Sequence, residues 1–525
     1  MKRLLLTTLC SVLLIAGDLT AQSSNPRRPL WGDLTSGPYA VGFKVTYRLD
    51  RSRTWDPTPD SIAAGEPSRP IRVSVWYPAR PARAARPMPY RGYLMLTAPN
   101  RHFSRLNAMI ERADVTPMRD FIFRGSDSLF QKLLASPTAA FANAPAAAGR
   151  FPVIGYSAGY NNRSHDNSVL AEYLASYGFI VVTVPQLGTA ATRLTLRINP
   201  VDLETQTRDL ELAIGEVLAG PNAEPRKLGL MGYSMGGVVA LLLAARNPNV
   251  DAIVGLDPSI RAPRFVELVT RAPQFEPRNI RAPLLSLQSG NASEASAQDT
   301  TVVHALRFAD RYVALVGNAA HGDFSDFAAY ADLFGLDVQG RTAVEARQSH
   351  AAVSKAVLAF FQSVLRGDSA SFSTALRAAP LLRMQFRPRL AAPSERDFAN
   401  MVIRHGYERA RVELQASQAG NPGIDLIDQP TLNRLGYGLL EQGNAPAAVG
   451  VFRLNVDAHP RSADAFDSLV DGLLGARDTT GAIAACQQLL TVLDADSTLS
   501  ADVREEYRRN TQARLQQLGN GGRSP

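Results

Sequence analysis

Between residues 71 and 316 the chain repeats one pattern: a short apolar run, then a longer amphipathic stretch. The runs are 71–77 (IRVSVWY), 151–156, 179–184 (FIVVTV), 227–231, 252–256, 283–287 and 312–316. Several are apolar throughout instead of alternating, which marks strands buried on both faces. Helical spacing over 167–177, 202–218 and 237–245 falls between them, and a last helix is predicted over 344–365. Strands separated by helices of ten or so residues predict a mostly parallel sheet covered by helices on both faces.

Residues 79–150 interrupt this series between two core strands. They carry helical patterns at 105–111 and 130–134, and Phe103, Met109, Phe121, Phe123 and Phe130 give them an apolar side. That side suits a lid over an apolar pocket, a membrane-surface patch, or plain cover for the sheet. After residue 365 the strand pattern stops. An Arg- and Pro-rich stretch around 380–393 reads as part of a linker spanning 366–429. From 430 to 516 the pattern is purely helical and repeats itself. Leu435-Gly436-Tyr437-Gly438-Leu439-Leu440 aligns with Leu469-Val470-Asp471-Gly472-Leu473-Leu474, and Ala448-Val449 with Ala482-Ile483. The offset of about 34 residues and the small residues at the helix crossing resemble tetratricopeptide repeats, which bind protein partners. A helical bundle closing the C-terminus is the competing reading.

Composition adds limits. Of 525 residues, 45% are hydrophobic and 20% charged, which excludes wholesale disorder and leaves room for several domains. The formal charge of +8 comes from basic residues dispersed along the chain, without a nucleic-acid motif, so a weak pull toward anionic surfaces is the most it implies. Lys2-Arg3, an apolar stretch from Leu4 to Gly17, and Leu19-Thr20-Ala21 form an expected signal peptide over 1–21. Its removal would take Cys10 with it and leave Cys486 alone, so no disulfide is expected within the chain.

The chemistry centres on Gly232-Tyr233-Ser234-Met235-Gly236, which follows a short strand and opens a helix of small residues. Strand, G-x-S-x-G, helix is the nucleophile elbow, in which a sharp turn lifts the serine above the sheet. A serine hydroxyl needs a base to accept its proton and a carboxylate to hold that base. Of the histidines that follow, His304, His321, His350, His405 and His459, only His321 comes directly after a strand, through Gly317-Asn318-Ala319-Ala320. It is the expected base. Asp257 follows the strand at 252–256, while Glu294 and Asp299 follow the next one; all three are candidate acids, with Asp257 favoured by its place at a strand end before Pro258. Met235 is expected to supply one oxyanion N–H, and Gly159 or Ala158, in the loop after the strand at 151–156, the other. This order of nucleophile, acid and base predicts an α/β-hydrolase domain over 22–365. The rival is a degenerate hydrolase acting as a binding module. No His/Asp cluster has metal-ligand spacing and no dinucleotide fingerprint is present, so no cofactor is expected.

These residues carry a family resemblance. The elbow, the order of the triad, Ala320-His321-Gly322-Asp323-Phe324-Ser325-Asp326-Phe327, and Gly37-Pro38-Tyr39-Ala40-Val41-Gly42-Phe43 are similar to the platelet-activating-factor acetylhydrolases of group VII type, near the dienelactone-hydrolase branch of the α/β-hydrolases. The resemblance implies a calcium-independent Ser-Asp-His esterase that removes short or oxidised acyl chains from phospholipids. It also implies Asp257 as the acid and Gly159 as the second oxyanion donor. The family's His-Gly-x-Gly at the oxyanion loop is replaced here by Ser157-Ala158-Gly159-Tyr160, and its Cys-dependent dienelactone relatives are set apart by Ser234.

Overall fold

The computed structural model describes residues 29–55, 68–189, 197–290, 299–336, 338, 340–377, 381–390, 392–422 and 424–520. The expected signal peptide and Glu294 lie outside them. Ten strands form one sheet: β1 (Ala40–Thr54), β2 (Ser68–Ala79), β3 (Ala140–Ala142), β4 (Phe151–Ser157), β5 (Ile180–Thr183), β6 (Ala223–Tyr233), β7 (Val250–Leu256), β8 (Leu284–Ser289), β9 (Arg311–Val316) and β10 (Leu382–Arg387). Their order is β10-β9-β8-β7-β6-β4-β5-β2-β1-β3. The pairings that join β5, β4, β6, β7, β8 and β9 are all parallel, whereas β2 runs antiparallel to β5 and β1, β10 antiparallel to β9, and β3 parallel to β1.

The helices follow in chain order. In the 79–150 insertion are α1 (Arg101–Pro117) and α2 (Asp127–Ala135). The central part holds α3 (Ser168–Ser176), α4 (Pro200–Leu218), α5 (Gly236–Arg246), α6 (Pro263–Thr270), α7 (Thr301–Ala305), α8 (Phe327–Phe334) and α9 (Ala343–Arg366). After them come α10 (Ser369–Arg377), α11 (Glu395–His405), α12 (Tyr407–Gly420), α13 (Gln429–Glu441), α14 (Ala445–Ala458), α15 (Ala463–Gly475), α16 (Thr479–Val492) and α17 (Ala501–Asn520). No helix among the described residues is long and apolar enough to cross a membrane.

One apolar core lies on each face of the sheet. The first packs α3 and α9 against it through Leu170, Leu174, Val357 and Phe361; the second packs α4 and α5 through Leu210, Ile214, Val239 and Leu243. The uniform apolarity of β4 and α5 is thereby explained: every residue of β4 is buried, and so is α5 from Gly236 to Ala245. α9 begins at a capping box, with Thr342 and Glu345 each accepting the other's backbone N–H, and ends at Gly367 in the left-handed conformation.

The insertion mainly covers the sheet. Phe103, Phe123 and Phe130 are buried, whereas Phe121 is 81% exposed. Part of the stretch expected to be a linker joins the sheet instead: β10 pairs with β9 from Leu382↔Val316 to Arg387↔Arg311, and Phe386 stacks on Tyr312. Its alternation is that of an edge strand, flanked by prolines that hide it. The C-terminal helices pack in consecutive pairs, α13 with α14 and α15 with α16. Phe452 fills the crossing between Gly436 and Gly472, where an added Cβ would come within 2.4 and 2.6 Å of its ring.

Candidate active site

The elbow stands where β6 ends. Ser234 has φ +53°, a left-handed backbone that non-glycine residues rarely adopt. It is held there by Ser234 N–H on Leu256 O (3.0 Å) and Ser259 N–H on Ser234 O (2.9 Å). Two glycines permit the turn. A Cβ on Gly232 would lie 2.1 Å from Gly236 O, and one on Gly236 would lie 2.0 Å from Ser157 O. The elbow therefore sits directly on the backbone of the loop that follows β4.

Asp257 ends β7, also at positive φ (+42°) and 4% exposed. His321 opens a short turn after β9. The structure brings the two together: His321 Nδ1 lies 2.6 Å from Asp257 Oδ2. Asp257 Oδ1 accepts from Ser289 N–H (2.8 Å) and from Arg261 Nη2. Asp299, the other described acid candidate, instead caps Thr301 N–H at the start of α7 (2.8 Å). Ser234 Oγ bonds Ser259 Oγ at 3.3 Å, a long contact. The Tyr233 ring stacks on His321 with centroids 4.9 Å apart, and its hydroxyl donates to His321 O (3.1 Å). Burial, followed by the fields of Asp166 and Asp257, pushes the Tyr233 phenol well above its ordinary pKa, so it stays a neutral donor.

The histidine loop is fixed from both ends. Asp323, fully buried, accepts Ala320 N–H (3.1 Å) and pairs with Arg341. Asp326, equally buried, takes Ser168 Oγ (2.6 Å) and Val169 N–H (3.2 Å), capping α3. Asn167 bridges Phe324 O (3.0 Å) to Tyr156 Oη (2.9 Å) on β4.

Met235 N–H, at the free end of α5, has no acceptor among the described residues. Gly159 N–H, however, faces the Asp166 carboxylate. Burial raises that carboxyl to a pKa of about 6, and the bonds from Tyr156 and Gly159 and the charge of Arg163 act against the rise. The glycine is required for packing, since a Cβ there would lie 2.9 Å from the Tyr233 ring. Asn161 N–H is engaged on Gln186 Oε1 (2.9 Å), and Asn162 N–H on Gly159 O (2.9 Å). Tyr160 N–H is left without an acceptor among the described residues. Gln186 Nε2 in turn donates to Ala158 O (2.7 Å), so this one side chain clamps the loop at two points where a histidine was missing. No cluster of three His, Cys, Asp or Glu side chains suited to a metal occurs among the described residues.

Comparison with known proteins gives partial matches. The chlorophyllase family profile matches residues 126–282, which contain Ser234 and Asp257. The chain is 27% identical over 125 residues to chlorophyllase type 0 of Chenopodium album, covering 22% of this chain and 36% of that one. It is 29% identical over 140 residues to cutinase 2 of Thermobifida cellulosilytica, covering 23% and 50%. It is also 32% identical over 103 residues to lipase 1 of Moraxella sp. (strain TA144), covering 18% and 28%. The chain thus spans half or less of the length of these curated relatives. Among solved structures, a ferulic acid esterase from Streptomyces cinnamoneus matches with a TM-score of 0.49 and 22% identity, over 67% of this chain and 98% of that one.

Proposed function

We propose that this protein is an exported serine carboxylic-ester hydrolase acting on short-chain acyl esters, acetylated or oxidised phospholipids among them. The observation that carries the proposal is the Asp257–His321 bond of 2.6 Å beside a serine held at φ +53° on an elbow. Names of the relatives, chlorophyllase, cutinase and lipase, support ester cleavage as the class of reaction.

In this reading Ser234 Oγ turns from Ser259 toward His321 Nε2 and attacks the ester carbonyl while His321 takes its proton. Asp257 holds the Nδ1–H tautomer and stabilises the imidazolium. Amides of Met235 and of Gly159 or Tyr160 receive the oxyanion. His321 returns the proton to the alcohol that leaves. Water repeats the cycle on the acyl-enzyme and frees the acid. The C-terminal hairpins are proposed as a repeat unit for a protein partner, and export rests on residues 2–21.

The test uses purified wild type and Ser234→Ala with p-nitrophenyl acetate, butyrate and octanoate, then an sn-2 acetyl phospholipid. Hydrolysis by wild type and at least about 10³-fold loss in the variant is expected. Equal rates in both proteins would sink the proposal. Ester activity without phospholipid cleavage would remove its lipid half.

A further inference from the structure

Behind the triad acid lies a cavity of about 250 Å³ that the ester chemistry does not use. Its floor is the outer face of β9 and β10, with Val313 and Leu315 apolar and Arg383 and Arg387 cationic; its far wall is α7, and Arg261 forms its inner end. Charge in it is unbalanced. Arg261 directs Nη2 to Asp257, but its Nη1 is buried without a partner among the described residues. Arg387 Nη1 meets a histidine nitrogen, His304 Nε2, in place of a carboxylate. No acid among the described residues pairs with Arg383 or Arg387. Asp299, the acidic residue of the lining, faces the N-terminal amide of Thr301. His304 reports the positive field: burial, then Arg387 and Arg311, hold its pKa below the ordinary value.

A buried donor without an acceptor, Arg261 Nη1, calls for an explanation, and guanidinium groups flanking an apolar floor match a carboxylate with an apolar body. We infer that this cavity is a second binding site, for a small organic carboxylate, linked to the catalytic acid through Arg261. The carboxylate accepts from Arg261 Nη1 and from Arg383 or Arg387, and its hydrocarbon part lies on Val313 and Leu315. The link follows from a shared guanidinium: a bound anion offsets the positive charge that faces Asp257 Oδ1, leaving more of the carboxylate's field for the imidazolium of His321. Binding stands on the cavity alone, whereas the link rests on the proposed triad.

The experiment is calorimetric titration of the full chain with acetate, benzoate and inorganic phosphate at constant ionic strength. Saturable binding with benzoate tighter than acetate is expected, and at least tenfold weakening in the Arg383→Gln/Arg387→Gln double variant. The charge-matched control Arg404→Gln/Arg409→Gln, on exposed helical positions, should bind as wild type does. Circular dichroism establishes that both variants are folded, and the single variants Arg383→Gln and Arg387→Gln replace the double one if it is not. Absence of saturable binding, equal weakening in the control, or phosphate binding tighter than benzoate would overturn the inference. In the same samples, saturating benzoate should change kcat for p-nitrophenyl butyrate without changing KM. A protein that binds benzoate but has no esterase activity would refute the ester-hydrolase reading and leave the site standing.

Discussion

At the scale of single residues, Asp257 is bonded on both oxygens, by His321 and by Ser289 N–H with Arg261. Replacing it with Asn keeps the shape but offers the imidazole an amide in the wrong sense. The expected result is a loss of about 10³- to 10⁴-fold in kcat with a small change in KM, read from steady-state rates. Gln186 acts through the loop it clamps. Gln186→Ala should lower kcat by about tenfold or more, because an oxyanion donor off position by a fraction of an ångström stabilises little. KM and the melting temperature should barely move, which separates positioning from folding. The turn at Ser234 and the meeting of Asp257 with His321 were legible because each residue follows a strand and their order is fixed by the sheet. Gln186 and Arg261 were not, since a clamp depends on contacts between segments that sequence order does not reveal. The close approach of Tyr233 to Gly159, where a Cβ would lie 2.9 Å from the ring, was hidden in the same way.

At the scale of elements, glycines with different surroundings give opposite expectations. Gly236→Ala places a Cβ 2.0 Å from Ser157 O and 2.7 Å from Ala158 O, both backbone atoms that cannot swing away. It should cost at least about 3 kcal/mol in urea unfolding, or prevent folding. Gly215→Ala, in the exposed face of α4 with nothing within 4 Å, should add about 0.5–1 kcal/mol. Helix α9 carries a pH-sensitive group. His350 is 4% exposed, and burial lowers its pKa to about 4 from the usual 6.5. Folding therefore holds it neutral, while the unfolded chain takes up a proton below 6.5. Its stability contribution is complete above pH 6.5 and is lost as pH falls toward 4. His350→Gln should flatten the fall in stability across that window by roughly 2–3 kcal/mol, seen in denaturant melts at pH 7, 5.5 and 4. Elements with strong patterns, β4, β7 and α9, lay within a residue or two of expectation. β1 and β10 were missed because their half-exposed, Arg-containing alternation resembles loop composition more than a core strand.

At the scale of the molecule, the helical hairpins are docked on the sheet domain by arginines. Arg278 pairs with Glu395 and donates to Leu426 O (3.1 Å), Arg281 reaches Asp397 (2.6 Å), and Phe308 packs with Ala392 and Leu426. Glu395 is only 1% exposed, so Arg278→Ala strands a buried carboxylate and should cost about 3–5 kcal/mol. A thermal scan should then show the C-terminal unit unfolding ahead of the sheet, where wild type melts in closer register. This docking uses the segments around β10, the strand that sequence composition presents as linker. The one active-serine account makes its most direct prediction about the enzyme under covalent challenge. A fluorophosphonate should add one label to the full chain, peptide mass spectrometry should place it on Ser234, and His321→Ala should abolish labelling. A label on another residue, or ester hydrolysis that persists with Ser234 unlabelled, would contradict it.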